Sequence, residues 1–228
     1  MAIPFKQAAR GNYLPGRAGK VEYIVIHYTG IPNDTAENNA VYSAREYTGV
    51  SAHYFVDENE VCQSVQDTDV AWHCGSKNPR HPYCRNANSI GIEMCNSVGG
   101  VPEAVRARTA AFVRQKMKEY GIDSSHVLRH YDVTGKRCPA PWVDDPQAWM
   151  DFKALLEVEE VTQEQFDAML EDYLARRNAK PASQWAVPYI QEAIDAGVMS
   201  DVGGTIAAPL GFVTRQELAV VAVNAVKK

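Results

Sequence analysis

Apolar and polar positions alternate with two distinct periods along the first two thirds of the chain. Val21 to His27 is a short run of β-branched and apolar residues and predicts a buried strand. Ser89 to Cys95 predicts another, and Val127 to His130 a shorter one. His53 to Asp57 and Val61 to Val65 flank Glu58-Asn59-Glu60 and read as a hairpin. Between the strands the period lengthens. Thr35 to Tyr47 predicts a helix with Thr35 as N-cap and Gly49 just past its end. Pro102 opens a long helix that Gly121 closes. Alternating strands and helices favour an α/β architecture, a sheet covered by helices.

After Trp149 the texture changes. Glu157 to Glu160 is mostly acidic, and Thr162-Gln163-Glu164-Gln165 has the spacing of a capping box. Phe166, Met169, Leu170, Tyr173 and Leu174 then recur at helical spacing and form one apolar face. Lys180-Pro181-Ala182-Ser183 is a break. Ser183 to Ala196 predicts a second helix ending before Gly197, and Thr214-Arg215-Gln216-Glu217 caps a third that runs to Val226. The boundary falls near residues 155–162. We expect an α/β domain over 1–156 and a small all-helical module over 157–228.

Charge follows that division. Residues 1–155 carry 17 Lys+Arg against 17 Asp+Glu, and residues 156–228 carry 6 against 11, so the second segment supplies the whole net charge of −5. No basic stripe is available for nucleic acid, and charge would not draw the chain to an anionic membrane or wall polymer. No apolar run approaches the roughly 20 residues of a membrane span. The start, Met1-Ala2-Ile3-Pro4-Phe5-Lys6-Gln7, lacks a basic-then-apolar leader pattern, so synthesis in the cytoplasm without a signal peptide is expected. Five cysteines at irregular spacing argue against a disulfide framework. Cys62 and Cys95 lie in strand-like runs and read as buried small hydrophobes. Cys74 and Cys84 flank a loop, which leaves a bond between them open under oxidation.

Two segments carry the chemistry: Val25-Ile26-His27-Tyr28-Thr29-Gly30 and Arg129-His130-Tyr131-Asp132 through Cys138-Pro139. They bring two imidazoles and one thiol to the ends of strands or to the loops after them. Three such ligands with a fourth position open are what a catalytic zinc requires. Glu93 is a lone carboxylate inside the apolar run Ser89 to Met94. Desolvation there would raise its pKa toward the range useful to a general base. Lys136, two residues before Cys138, could set a positive charge near a developing oxyanion. Taken one at a time, each has a plain structural reading: a hydrogen-bonded histidine, a solvated carboxylate, a surface lysine. It is their combination that points to a metal hydrolase.

Five ordered segments make the pattern specific. Tyr23 to Gly30, Ser51-Ala52-His53-Tyr54-Phe55-Val56-Asp57, Ala71-Trp72-His73-Cys74-Gly75, Asn88 to Glu93 and Arg129 to Pro139 resemble, in order and spacing, the type 2 N-acetylmuramoyl-L-alanine amidases. These include phage endolysins, autolysins and animal peptidoglycan recognition proteins. The resemblance covers roughly residues 10–150 and implies a central mixed β-sheet flanked by helices. It implies zinc held by His27, His130 and Cys138, with Glu93 on the catalytic glutamate and Lys136 on the catalytic lysine two before the third ligand. It implies peptidoglycan as substrate, cut between the lactyl group of N-acetylmuramic acid and L-alanine. Some members carry a tyrosine where this chain has Ala52, which rests the acid–base role on Glu93, with Tyr54 a nearby substitute. His73 falls on a groove histidine, open to either substrate contact or a structural hydrogen bond; Trp72 and Asn88 fall beside it as substrate-binding candidates. The loop Ser76 to Ala87 is either a contact for the stem peptide or plain surface.

Within 157–228, Trp185 to Ile194, Gly197-Val198-Met199 and Thr214 to Ala219 resemble one S-layer-homology-like repeat. That implies wall anchoring; a homodimer through the apolar face of Phe166–Leu174, or a cap on the catalytic domain, are the other readings. The expectation is an endolysin or autolysin acting at the wall of a Gram-positive cell after release. The rival is a non-catalytic peptidoglycan-binding module.

Overall fold

In the computed structural model, residues 3–158, 161–197 and 223 are described, and the chain forms two compact units, Met1–Val158 and Glu159–Lys228. In the first unit the elements run β1 (Tyr13–Leu14), β2 (Tyr23–Tyr28), α1 (Ala36–Arg45), β3 (Tyr54–Val56), β4 (Val61–Gln63), β5 (Val70–Ala71), β6 (Ser89–Met94), α2 (Glu103–Tyr120), β7 (Val127–Arg129), α3 (His130–Thr134), α4 (Ala140–Asp144) and α5 (Pro146–Leu156). The main sheet has the order β4-β3-β6-β2-β7. β6 runs parallel to both β3 and β2, β2 runs parallel to β7, and β4 is antiparallel to β3. The sheet is therefore mixed, as the resemblance implies. β1 and β5 form a separate antiparallel pair.

The strand alternation divides the side chains between two faces. Ile24 and Ile26 of β2 and Ile90, Ile92 and Met94 of β6 join Val105, Val113, Trp142, Trp149 and Phe152 in the largest core cluster, under α2 and α5. The opposite face carries Tyr23, Val25 and His27 of β2 and Ser89, Gly91 and Glu93 of β6. α1 packs on that side, with Ala36 and Ala40 against Ala52 and Phe55. Its first turn is capped by Thr35, whose hydroxyl accepts from the Asn38 N–H, and it stops at Arg45, two residues before the predicted end. α2 begins after Pro102 and ends at Gly121, whose φ of 64° is the left-handed cap that glycine permits.

Two features near the site differ from the sequence reading. His130 does not end a strand; it opens α3, closed at Gly135. α5 was not expected, and it exists because Asp145 caps it through the Gln147 and Ala148 N–H groups while Trp149, Phe152 and Leu156 bury one face. All five cysteines are free and buried, so Cys74 and Cys84 are not bonded.

In the second unit, α6 (Gln163–Asn178) starts at a reciprocal capping box between Thr162 and Gln165. Its Phe166, Met169, Leu170 and Tyr173 are exposed. α7 (Val187–Asp195) starts later than predicted, after a turn at 184–186. The predicted third helix and the rest of the repeat-like segment beyond Gly197 lie outside the described residues, Val223 excepted. Among the described residues no helix is long and apolar enough to cross a membrane.

Candidate active site and metal centre

Parallel strands deliver the site residues to one end of the sheet. His27 and Glu93 are register partners near the carboxyl ends of β2 and β6, and His130 follows directly on β7. This is where ligand crevices form in sheets with parallel strands. The αL turn at Gly135 and the loop after it bring Cys138 back to His27: the Cys138 Sγ lies 3.8 Å from the His27 Nδ1. One ligand atom from each of His27, His130 and Cys138 lies within 4.8 Å of the others, and all three residues are buried. The His130 Nδ1 is buried without a hydrogen-bond partner among the described residues. An orphaned imidazole nitrogen beside a second imidazole and a thiol is the donor chemistry of a zinc or similar borderline cation. His126, four residues before His130, stays apart, held by Asp123.

Burial sets the ionisation of the group. Desolvation, reinforced by His73, His130 and Lys136, holds His27 well below the usual histidine range. Burial, with Lys136 next, brings His130 down to about 4. Both rings are neutral near pH 7, as metal ligation needs. Burial and then the Glu93 carboxylate push the Cys138 thiol up to about 12, against the Tyr28 main-chain N–H. Glu93 is raised to about 7 by burial, with the Lys136 ammonium opposing. Its Oε2 is fully covered and has no hydrogen-bond partner among the described residues.

A cavity of about 310 Å³ opens onto these groups, lined by His27, Trp72, His73, Glu93, His130, Lys136 and Cys138 together with an outer wall that includes Ile31, Tyr42, Val50 and Phe55. A neighbouring cavity of about 620 Å³ shares Val50, Trp72, His73, His130 and Lys136 and adds Asn86.

The profile of the N-acetylmuramoyl-L-alanine amidases matches residues 17–141, more than half of the chain. The chain belongs to this amidase family. It is 36% identical over 143 residues to the N-acetylmuramoyl-L-alanine amidase CwlL of Bacillus licheniformis, covering 58% of this chain and 40% of that protein. It is 37% identical over 166 residues to XlyB of Bacillus subtilis, covering 70% and 50%. The chain thus spans half or less of the length of these curated relatives. Among solved structures, PlyL aligns at 29% identity and a TM-score of 0.61 over 71% of this chain and all of that one. A mutant endolysin from Bacillus subtilis aligns at 31% and 0.59, over 68% and 99%.

Within this amidase-family domain most of the expected site residues converge, and two do not. Trp72 and His73 line both cavities. Asn88 does not reach either. Its side chain caps the Arg85 N–H and donates to Glu22, at a short turn before β6. Asn86 takes that place, its Oδ1 accepting from the His73 and Cys74 N–H groups. Tyr54 is turned into the core, edge-on to Phe112 and hydrogen-bonded to Asp67 at 2.8 Å, which removes it as a substitute acid or base. Tyr42, Val50 and Asn39 in the cavity wall carried no local signal; only the packing of α1 and the loop after it brings them there.

Proposed function

We propose that the chain is a zinc-dependent amidase that hydrolyses the bond between N-acetylmuramic acid and L-alanine in peptidoglycan, with His27, His130 and Cys138 holding the metal. The observation that supports this most is the convergence of three buried donor atoms beside the unpartnered Glu93 Oε2 in one cavity. Membership of the amidase family supplies the substrate class.

Zinc bound there would polarise the substrate carbonyl and acidify water. Glu93 does the proton work. With its pKa raised to about 7 by burial, its Oε2 takes a proton from the attacking water and returns it to the departing alanine nitrogen. Lys136, exposed at the cavity wall, sets positive charge beside the oxygen on which negative charge develops. Trp72 and the wall formed by Tyr42 and Val50 give the substrate an apolar surface to lie on and exclude water from it.

For the second unit we propose wall binding through its repeat-like segment. A chain cut after residue 160 that bound intact walls as well as the full chain would remove that reading. Action at the cell wall, as an endolysin or an autolysin, is the proposed setting; a dimer through α6 would show as a doubled mass in solution.

The deciding experiment digests purified Gram-positive wall with and without a zinc chelator. Chelator-sensitive release of N-terminal alanine without new reducing sugar ends is expected. No release, with the protein still pelleting with the wall, would make it a binding module.

A further inference from the structure

Behind His27 lies a chain of hydrogen bonds whose direction is set at its far end. The Ser89 hydroxyl donates to the Arg85 carbonyl at 2.7 Å, and a carbonyl can only accept. The single Ser89 proton is thereby used, so Ser89 Oγ must accept from His73 Nε2, 3.1 Å away. With that Nε2 proton as its single ring proton, His73 presents a bare Nδ1. That nitrogen lies 3.0 Å from the His27 Nε2, so His27 must donate to it. His27 then carries its own proton on Nε2, and its Nδ1, the nitrogen facing the Cys138 Sγ, is left as a lone pair. All three side chains are buried, and Gly91 beneath leaves room for the His73 ring.

We propose that His73 is a positioning residue: with Ser89 it locks His27 in the Nε2–H tautomer and so prepares Nδ1 for the metal, rather than contacting substrate. The inference rests on the zinc reading above for its purpose, and on the hydrogen-bond directions together with a single proton on the His73 ring for its proton order. A partner on the far nitrogen fixes the orientation of a metal-binding imidazole and raises its basicity, and losing such a partner typically weakens metal binding about 10–100-fold.

Two measurements test it. Long-range proton–nitrogen correlation spectra of the metal-free full chain, with His27 assigned by difference against His27→Gln, report which ring nitrogen is protonated. We expect Nε2; a proton on Nδ1 overturns the proposal. Zinc affinity is then measured by competition with a chromophoric chelator. His73→Leu removes the acceptor and should weaken binding about 10–100-fold. His73→Asn places an amide oxygen near the Nδ1 position and should recover most of the loss. Leu and Asn variants that both match the unmodified protein, or that both lose zinc equally, overturn the role of the acceptor. An unmodified chain that takes up no stoichiometric zinc would refute the proposed function, while the tautomer result would still decide the proton order.

Discussion

Gly91 is the position where a single methyl group should disturb the site without touching any of its ligands. A Cβ built there would lie 2.5 Å from the His73 Cγ and 2.8 Å from its Cδ2 and Nδ1. Ordinary contact begins near 3.4 Å, so the ring must retreat by about 0.9 Å. It cannot do so freely, because His27 and Ser89 hold it at 3.0 and 3.1 Å. A displacement of that size takes at least one of these bonds out of range. Overpacking costs about 1–3 kcal/mol, and each hydrogen bond lost adds about 1 kcal/mol. Gly91→Ala should therefore destabilise the metal-free protein by about 2–4 kcal/mol, measured by urea denaturation, and weaken zinc binding in a chelator competition. Gly19→Ala, where nothing lies within 4 Å, is the control. In a His73→Ala background the ring is gone and the penalty of Gly91→Ala should shrink toward zero. A penalty that persists there, or a Gly91→Ala protein within about 0.5 kcal/mol of the unmodified chain, would refute the reasoning.

Other substitutions separate the remaining parts. Glu93→Gln should keep zinc and lower turnover about 100-fold or more in the wall digest; unchanged turnover rejects Glu93 as the base. The same residue predicts a pH dependence. Its native pKa of about 7 lies above the ordinary glutamate value of 4.5, so its contribution to metal-free stability is fully present below pH 4.5 and is lost as pH rises through 7. Denaturation midpoints of the metal-free chain should fall across that window, and Glu93→Gln should flatten the fall. Cys138→Ser should abolish stoichiometric zinc by elemental analysis; full metal content rejects the ligand set. Asp67 accepts from Tyr54, Lys116 and Tyr120, and the Lys116 side chain is only 7% exposed. Asp67→Ala takes the acceptor from two tyrosine hydroxyls and leaves that ammonium with Glu119 at 2.9 Å, and should cost about 3 kcal/mol in urea denaturation with zinc affinity unchanged.

Strand periodicity made the sheet and the poles of the site legible. His27 and Glu93 stand out because each is a polar residue inside an apolar run, and the parallel pairing of β2 with β6 makes them neighbours in register. Residues placed by tertiary packing were not legible. Nothing local distinguishes Asn86 from Asn88; the first faces the cavity and the second caps a turn because of where the chain bends before β6. α5 was hidden because its apolar positions, Trp149, Phe152 and Leu156, gain meaning only against Trp142 and α2. His73 was read as a groove residue with its role open, since the direction of a hydrogen-bond chain depends on Ser89 and Arg85, which precede β6 or begin it.

β6 shows how much function one short strand can hold. Ile90, Ile92 and Met94 point into the main core and fix the register of the strand. That register then decides what the opposite face presents in order: Ser89 to orient His73, Gly91 to admit its ring, and Glu93 beside the three donor atoms. The two faces are coupled, because a slip by one residue would turn every side chain over. It would bury Ser89 and Glu93 in the core and set Ile90 and Ile92 against His73. The apolar half of the strand is thus the positioning device for the polar half. Large-to-small changes at Ile90 or Ile92, on the strand face turned away from the cavity, act on the site through the strand's hold on the core.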